Sequence, residues 1–174
     1  MIVRLIGVAL FCTGIMFCGA VSAQWTVEVE WDQMTDEVDA SASTKNSEGH
    51  RFGIYRTKDG SIRATLTLGS GEIFTRSYGR KLSETRLPIY RVDKDMPIGL
   101  SQFEDGEVRN SPEAIGWRVA NKMEWPPKGR LADLMSGQRL LVRYTDGDDE
   151  ERQTEFTLTG AERAVRLAFD LMKK

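Results

Sequence analysis

His50 is the only histidine in the chain, so any Ser-His-Asp or histidine–metal chemistry has to be assembled around it. It stands in "SEGHRF", where a polar loop runs into a strand, and the expectation is a surface or strand-end histidine. Serines are plentiful, yet no Gly-x-Ser-x-Gly elbow presents one as a nucleophile. The densest acidic run is "DGDDEE", Asp146 to Glu151. A calcium loop of the EF-hand kind needs glycine at its sixth place and glutamate at its twelfth. Counted from Asp146 those places hold Glu151 and Thr157, so the run reads as a solvated hairpin turn. "GSGE" (Gly69 to Glu72) lacks the third glycine and the Lys-Ser/Thr pair of a phosphate loop, and it reads as a turn. Glu28 and Glu30 imitate a glycosidase carboxylate pair, but strand alternation turns both outward into solvent. No catalytic residue, metal site or cofactor is assigned.

Binding is a different matter. Of the four tryptophans, Trp25 and Trp31 share a face with Val27 and Val29 and belong mostly to a core. Trp125, beside Pro126-Pro127, is the best candidate for an exposed aromatic that stacks on a sugar or anchors an interface. In "YRVDKD", Arg91 and Asp93 form the second candidate: an ion pair that fixes a loop, or a charged recognition edge at a strand end.

The elements that carry these residues follow from periodicity. "WTVEVEW" alternates strictly, as a half-buried strand does. "VDASAST" is a weaker strand. "RFGIYRT", "SIRATLTL" and "EIFTRSY" are three strands separated by "KDG" and "GSG", and Asp59-Gly60 is a strong hairpin signal. "LPIYRVDKDMP" is a strand bounded by prolines, "LSQFEDGEVRN" turns at Asp105-Gly106, and "AIGWRVANKMEW" reads as a strand. "RLADLMSG" is a short helix stopped at Gly137. "QRLLVRYT" and "QTEFTLT" form a hairpin around the acidic turn. Thr159-Gly160-Ala161-Glu162 matches a capping box, and Ala161, Ala164, Val165, Ala168, Leu171 and Met172 share one helical face. The fold class is mostly β, an antiparallel β-sandwich-like domain with one short helix and one C-terminal amphipathic helix.

The first 23 residues read as a cleavable signal peptide. Arg4 precedes an apolar run from Leu5 to Phe17, and Val21-Ser22-Ala23 has the small-residue spacing of a cleavage site. The run is shorter than the roughly 20 residues of a bilayer span. Residues 24–174 then form a single β-rich domain, periplasmic or secreted. Cys12 and Cys18 leave with the signal, which excludes disulfides and thiolate chemistry from the exported form. Losing Arg4 takes the formal net charge from −2 to −3, and no basic stripe remains for nucleic acid.

"QWTVEVEWDQMTDE", "IYRVD" and "LLVRY…TEFTLTGAERAVRLAF" together resemble small exported bacterial envelope proteins. These are the VasI-like accessory proteins of type VI secretion and the invasion-associated locus B type. The resemblance implies a β-rich, periplasmic, non-catalytic protein that works in envelope assembly or host interaction and has an envelope protein as partner. It transfers no active-site residue. The alternative from the residues themselves is a periplasmic glycan-binding or hydrolase domain.

Overall fold

The computed structural model describes residues 24–32, 37–69, 71–74, 87–100 and 109–171. Among these residues two antiparallel sheets and two helices make up a mostly-β, sandwich-like arrangement. The first sheet joins β1 (Thr26–Asp32), β2 (Glu37–Lys45), β3 (Arg51–Arg56), β4 (Ile62–Thr67), β8 (Ala114–Ala120) and β7 (Arg109–Asn110), in that spatial order. The second runs β10 (Glu151–Thr157), β9 (Arg139–Thr145), β5 (Ile89–Val92) and β6 (Ile98–Gly99). Helix α1 (Gly129–Ser136) leads into β9, and α2 (Ala161–Leu171) follows β10.

Period-two patterning decides which side chains meet. Phe52 and Ile54 on β3, Ile62, Ala64 and Leu66 on β4, and Ile115 and Trp117 on β8 are all buried on the inner face of the first sheet. They face Leu140 and Val142 of β9 and Phe156 of β10 within one continuous core. Phe52 is its hub, with ring centroids 6.2 Å from Trp25, 6.1 Å from Trp117 and 5.8 Å from Phe156.

Helix α2 lies across β1, β2 and β3. Its buried stripe is Ala161, Ala164, Val165, Ala168 and Phe169. Small residues recur on both sides of this contact, with Ala40 and Ala42 buried beneath it on β2, so helix and sheet backbones approach closely. That explains why "VDASAST" carries so weak a hydrophobic signal for a central strand.

Several expectations change. The capping box is not made. Thr159 donates its hydroxyl to Gln138 Oε1, and Glu162 pairs with Arg166 one turn along the helix. The chain instead enters α2 through Gly160 at φ 92°, a region that only glycine visits freely. Of "EIFTRSY", the described part contributes a single bridge, Phe74 to Asp146, and no strand. The rest of that segment, the Asp105-Gly106 turn, the "DQMTDE" turn at 33–36 and Met172 lie outside the described residues. Along β1 the apolar face is only partly covered: Trp25 is buried and Val27 half-buried, while Val29 is 52% exposed.

Candidate functional site

The outer face of the first sheet holds an open cleft of about 980 Å³. Neither helix covers it, because both pack elsewhere: α2 on the inner side of β1–β3 and α1 against β8 and α2. The ladder registers place its side chains in rows. Thr26, Ser43, Gly53, Thr65 and Gly116 lie side by side across five strands, forming a floor of small residues. The next row is Glu28, Ser41, Tyr55, Arg63 and Arg118. Rows of Ser and Thr around a half-buried tyrosine give hydroxyl donors and acceptors with one apolar surface, and these can orient a ligand.

Charge is distributed unevenly over this face. Its β1 margin carries Glu28, Glu30 and Asp39, and its β3–β4 side carries Arg51, Arg56, Lys58 and Arg63. Glu28 and Arg51 are joined by an ion pair across the boundary. Arg63 is 8% exposed on the floor, with Nη2 donating to the Gly116 carbonyl at 3.4 Å.

The β3–β4 hairpin closes one end of the cleft. The Thr57 hydroxyl beside Asp59, with the Ser61 amide and hydroxyl, holds the Asp59 carboxyl down at about 2. A carboxyl with a depressed folded-state pKa supports the fold above its unfolded value near 3.8, and the contribution is lost as pH falls toward 2. The backbone amides of Lys58–Ser61 are therefore expected to shift in NMR spectra between pH 4 and pH 2. In Asp59→Asn the same amides should stay level over that range.

His50 lies in a second polar cluster, at one end of the sandwich. The imidazole is 2% exposed, so it is a strand-end histidine but not a surface one. The Gly69 amide donates to Nδ1 at 2.9 Å, which leaves the proton of a neutral ring on Nε2. Nε2 faces Tyr144 Oη at 3.4 Å, Glu48 Oε2 at 3.4 Å and Glu72 Oε2 at 3.7 Å. The Tyr144 hydroxyl donates to Glu72 Oε2 at 3.2 Å. Burial, then the Glu72 carboxylate, pushes its ionisation far above the usual tyrosine range, so it remains a donor. Thr154 donates to Glu48 Oε2 at 2.5 Å, and the Asn46 amide bonds Thr154 Oγ1 at 2.6 Å. The cluster ties the β2–β3 loop to the turn after β4 and to β9 and β10. A ring this deeply enclosed, with both nitrogens engaged, has no approach for a substrate.

The acidic turn is self-satisfied in a similar way. Asp146 accepts the Asp148 and Glu150 amides at 3.0 Å each and Arg152 Nε at 2.7 Å. Arg152, then those amides, lowers its pKa. Among the described residues no group of three His, Cys, Asp or Glu side chains is placed to hold a metal ion.

The residues singled out from sequence fall elsewhere. Arg91 and Asp93 sit on β5 and the turn after it, in the second sheet. Asp93 adopts φ 49° and accepts the Gln138 amide at 3.1 Å and the Arg139 amide at 2.9 Å. It fixes the loop through backbone donors, not through Arg91. Arg91 borders a shallow depression of about 240 Å³ with Tyr90, Pro97 and Gln153. Trp125 is half-buried, and the Arg166 guanidinium of α2 lies 3.8 Å above its ring. One π-face is thus already occupied by a cation, and a sugar would have to displace Arg166 to stack there. The outer-face residues Ser41, Tyr55, Arg63 and Thr65 were the ones missed. The alternation of "VDASAST", "RFGIYRT" and "SIRATLTL" already put them on a common polar face.

No protein-family model, no curated protein and no solved structure matches this chain.

Proposed function

We propose that the protein is an exported, non-enzymatic binding and assembly factor of the bacterial envelope, and that it holds its partner on the outer face of the six-stranded sheet. The single observation behind this reading is the open cleft itself. It is polar and floored by Ser, Thr and Gly with Tyr55 and Arg63 at its centre. It brings together hydroxyls, an aromatic ring and side chains of both charges, a mixture suited to recognition. Export rests on the signal-like first 23 residues, and a role beside a secretion system rests on the envelope-protein resemblance alone.

A glycan is the second reading, favoured by Tyr55 standing between Ser41 and Arg63 in one row, an aromatic flanked by hydrogen-bonding groups. A photo-crosslinking amino acid at Thr65, on the floor, is expected to trap a discrete partner in intact envelopes. The same probe at Leu167, which is 52% exposed on α2, should trap none. An adduct that digests as protein supports the assembly factor, and one that digests as glycan supports the second reading. Adducts from Leu167 alone would overturn both.

A further inference from the structure

Strand β1 ends the six-stranded sheet. It pairs only with β2, over seven residues in unbroken antiparallel register from Thr26↔Ser43 to Asp32↔Glu37. Among the described residues no strand lies on its other side. A regular edge of this length offers a row of backbone donors and acceptors, and proteins usually blunt such an edge with bulges, prolines or brevity. Strand β1 has no bulge and no proline.

The side chains on β1 state what kind of strand would fit. Toward the outer face they are Thr26, Glu28 and Glu30. Glu30 stands directly opposite Asp39 of β2 on the same face, and like charges placed across a ladder cost stability. Toward the inner side, Val29 is 52% exposed. A second copy of the chain is disfavoured, because antiparallel self-pairing of β1 centred on Glu28 or Val29 with the outer face outward sets glutamates against each other. The same carboxylates that keep copies apart favour a strand whose outward positions carry cations.

We infer that the free edge of β1 receives an extended partner segment in which lysine or arginine alternates with apolar residues. The basic side chains would meet Glu30 and Asp39 on the outer face, Glu28 being already paired with Arg51, and the apolar ones would cover Val29. Main-chain hydrogen bonds give such an addition its affinity, and the alternation gives it selectivity. This inference rests on the reading of the protein as a binding factor and names its partner's chemistry.

The test uses the purified exported chain with three synthetic ten-residue probes: alternating Lys-Val, alternating Glu-Val, and Lys-Val with a central proline. Hydrogen exchange is expected to slow at the β1 amides, residues 26–32, with the first probe only. Glu30→Lys should weaken that binding about fivefold and admit the Glu-Val probe, while its melting temperature does not fall, since the new lysine stands opposite Asp39. Equal binding of all three probes, no protection in β1, or protection at β10 in its place would overturn the inference. If the Lys-Val probe leaves β1 unprotected while Thr65 still traps a partner, the edge proposal fails and the binding-factor reading stands. If β1 is protected and Thr65 traps nothing, the reverse holds.

Discussion

Phe52→Ala is expected to lower stability by about 3–5 kcal/mol. Phe52 is fully buried and touches aromatic rings from β8, from β10 and from the residue preceding β1. Those rings belong to both sheets, so the void would open at the sandwich interface, where neither sheet can close it without sliding on the other. In a domain of this size each kcal/mol moves the melting temperature by about 2–4 °C, so a circular-dichroism melt should fall by about 10 °C. Val29→Ala, at an exposed position on β1, should stay within about 0.5 kcal/mol. Equal effects at the two sites would show that Phe52 is not the hub of the interface.

Gly69→Ala should cost about 2–4 kcal/mol by a different mechanism. A Cβ at residue 69 would sit 2.5 Å from the Gly49 carbonyl oxygen and 2.7 Å from its carbon. Backbone cannot swing aside as the tip of a side chain can, so the two loops must separate. The separation breaks the 2.9 Å bond from the Gly69 amide to His50 Nδ1, and the buried imidazole loses the contact that fixes its tautomer. The ring nitrogens of His50 should therefore shift in ¹⁵N spectra, and the residue 69 amide should exchange faster. Gly99→Ala, which meets nothing within 4 Å, should change neither stability nor the histidine signals. An unaltered histidine spectrum in Gly69→Ala would mean that the imidazole is held by Tyr144 and the carboxylates without that amide.

The two substitutions also mark what was legible in the sequence. Several strands that alternate by twos appeared where the pattern put them, and of "AIGWRVANKMEW" the first seven residues form β8. The joint at Gly160 was legible as a joint, although the hydrogen bonds expected around it were not made. The burial of His50 was hidden, because the groups that bury it come from far along the chain. Tyr144 is 94 residues away and Gly69 is 19, and the local context of Asn46, Ser47 and Glu48 is polar. Asp93 was recognised as a loop anchor, but its partners turned out to be two backbone amides across the fold. Composition cannot announce such partners, since every residue but proline carries one. Trp125 read as exposed because of its prolines, while the cation that covers it sits on a helix 41 residues later in the chain.

Trp25 ties the start of β1 to the far end of the chain. Its indole Nε1 donates to the Thr157 carbonyl across a separation of 132 residues, and α2 packs over the strand it introduces. During synthesis, then, the first strand emerges well before the helix that must cover it. Until α2 arrives, Trp25, Val27 and the small-residue face of β2 stay open to water and to other chains. The β1–β2 ribbon must wait as an unfinished surface, and a two-stranded ribbon alone is marginal in water. The interval rewards a holdase that binds extended apolar strands, and it makes completion of α2 the step that ends exposure to aggregation and proteolysis. Shortening the chain from the α2 end would leave the opening strand, not the closing one, as the first casualty.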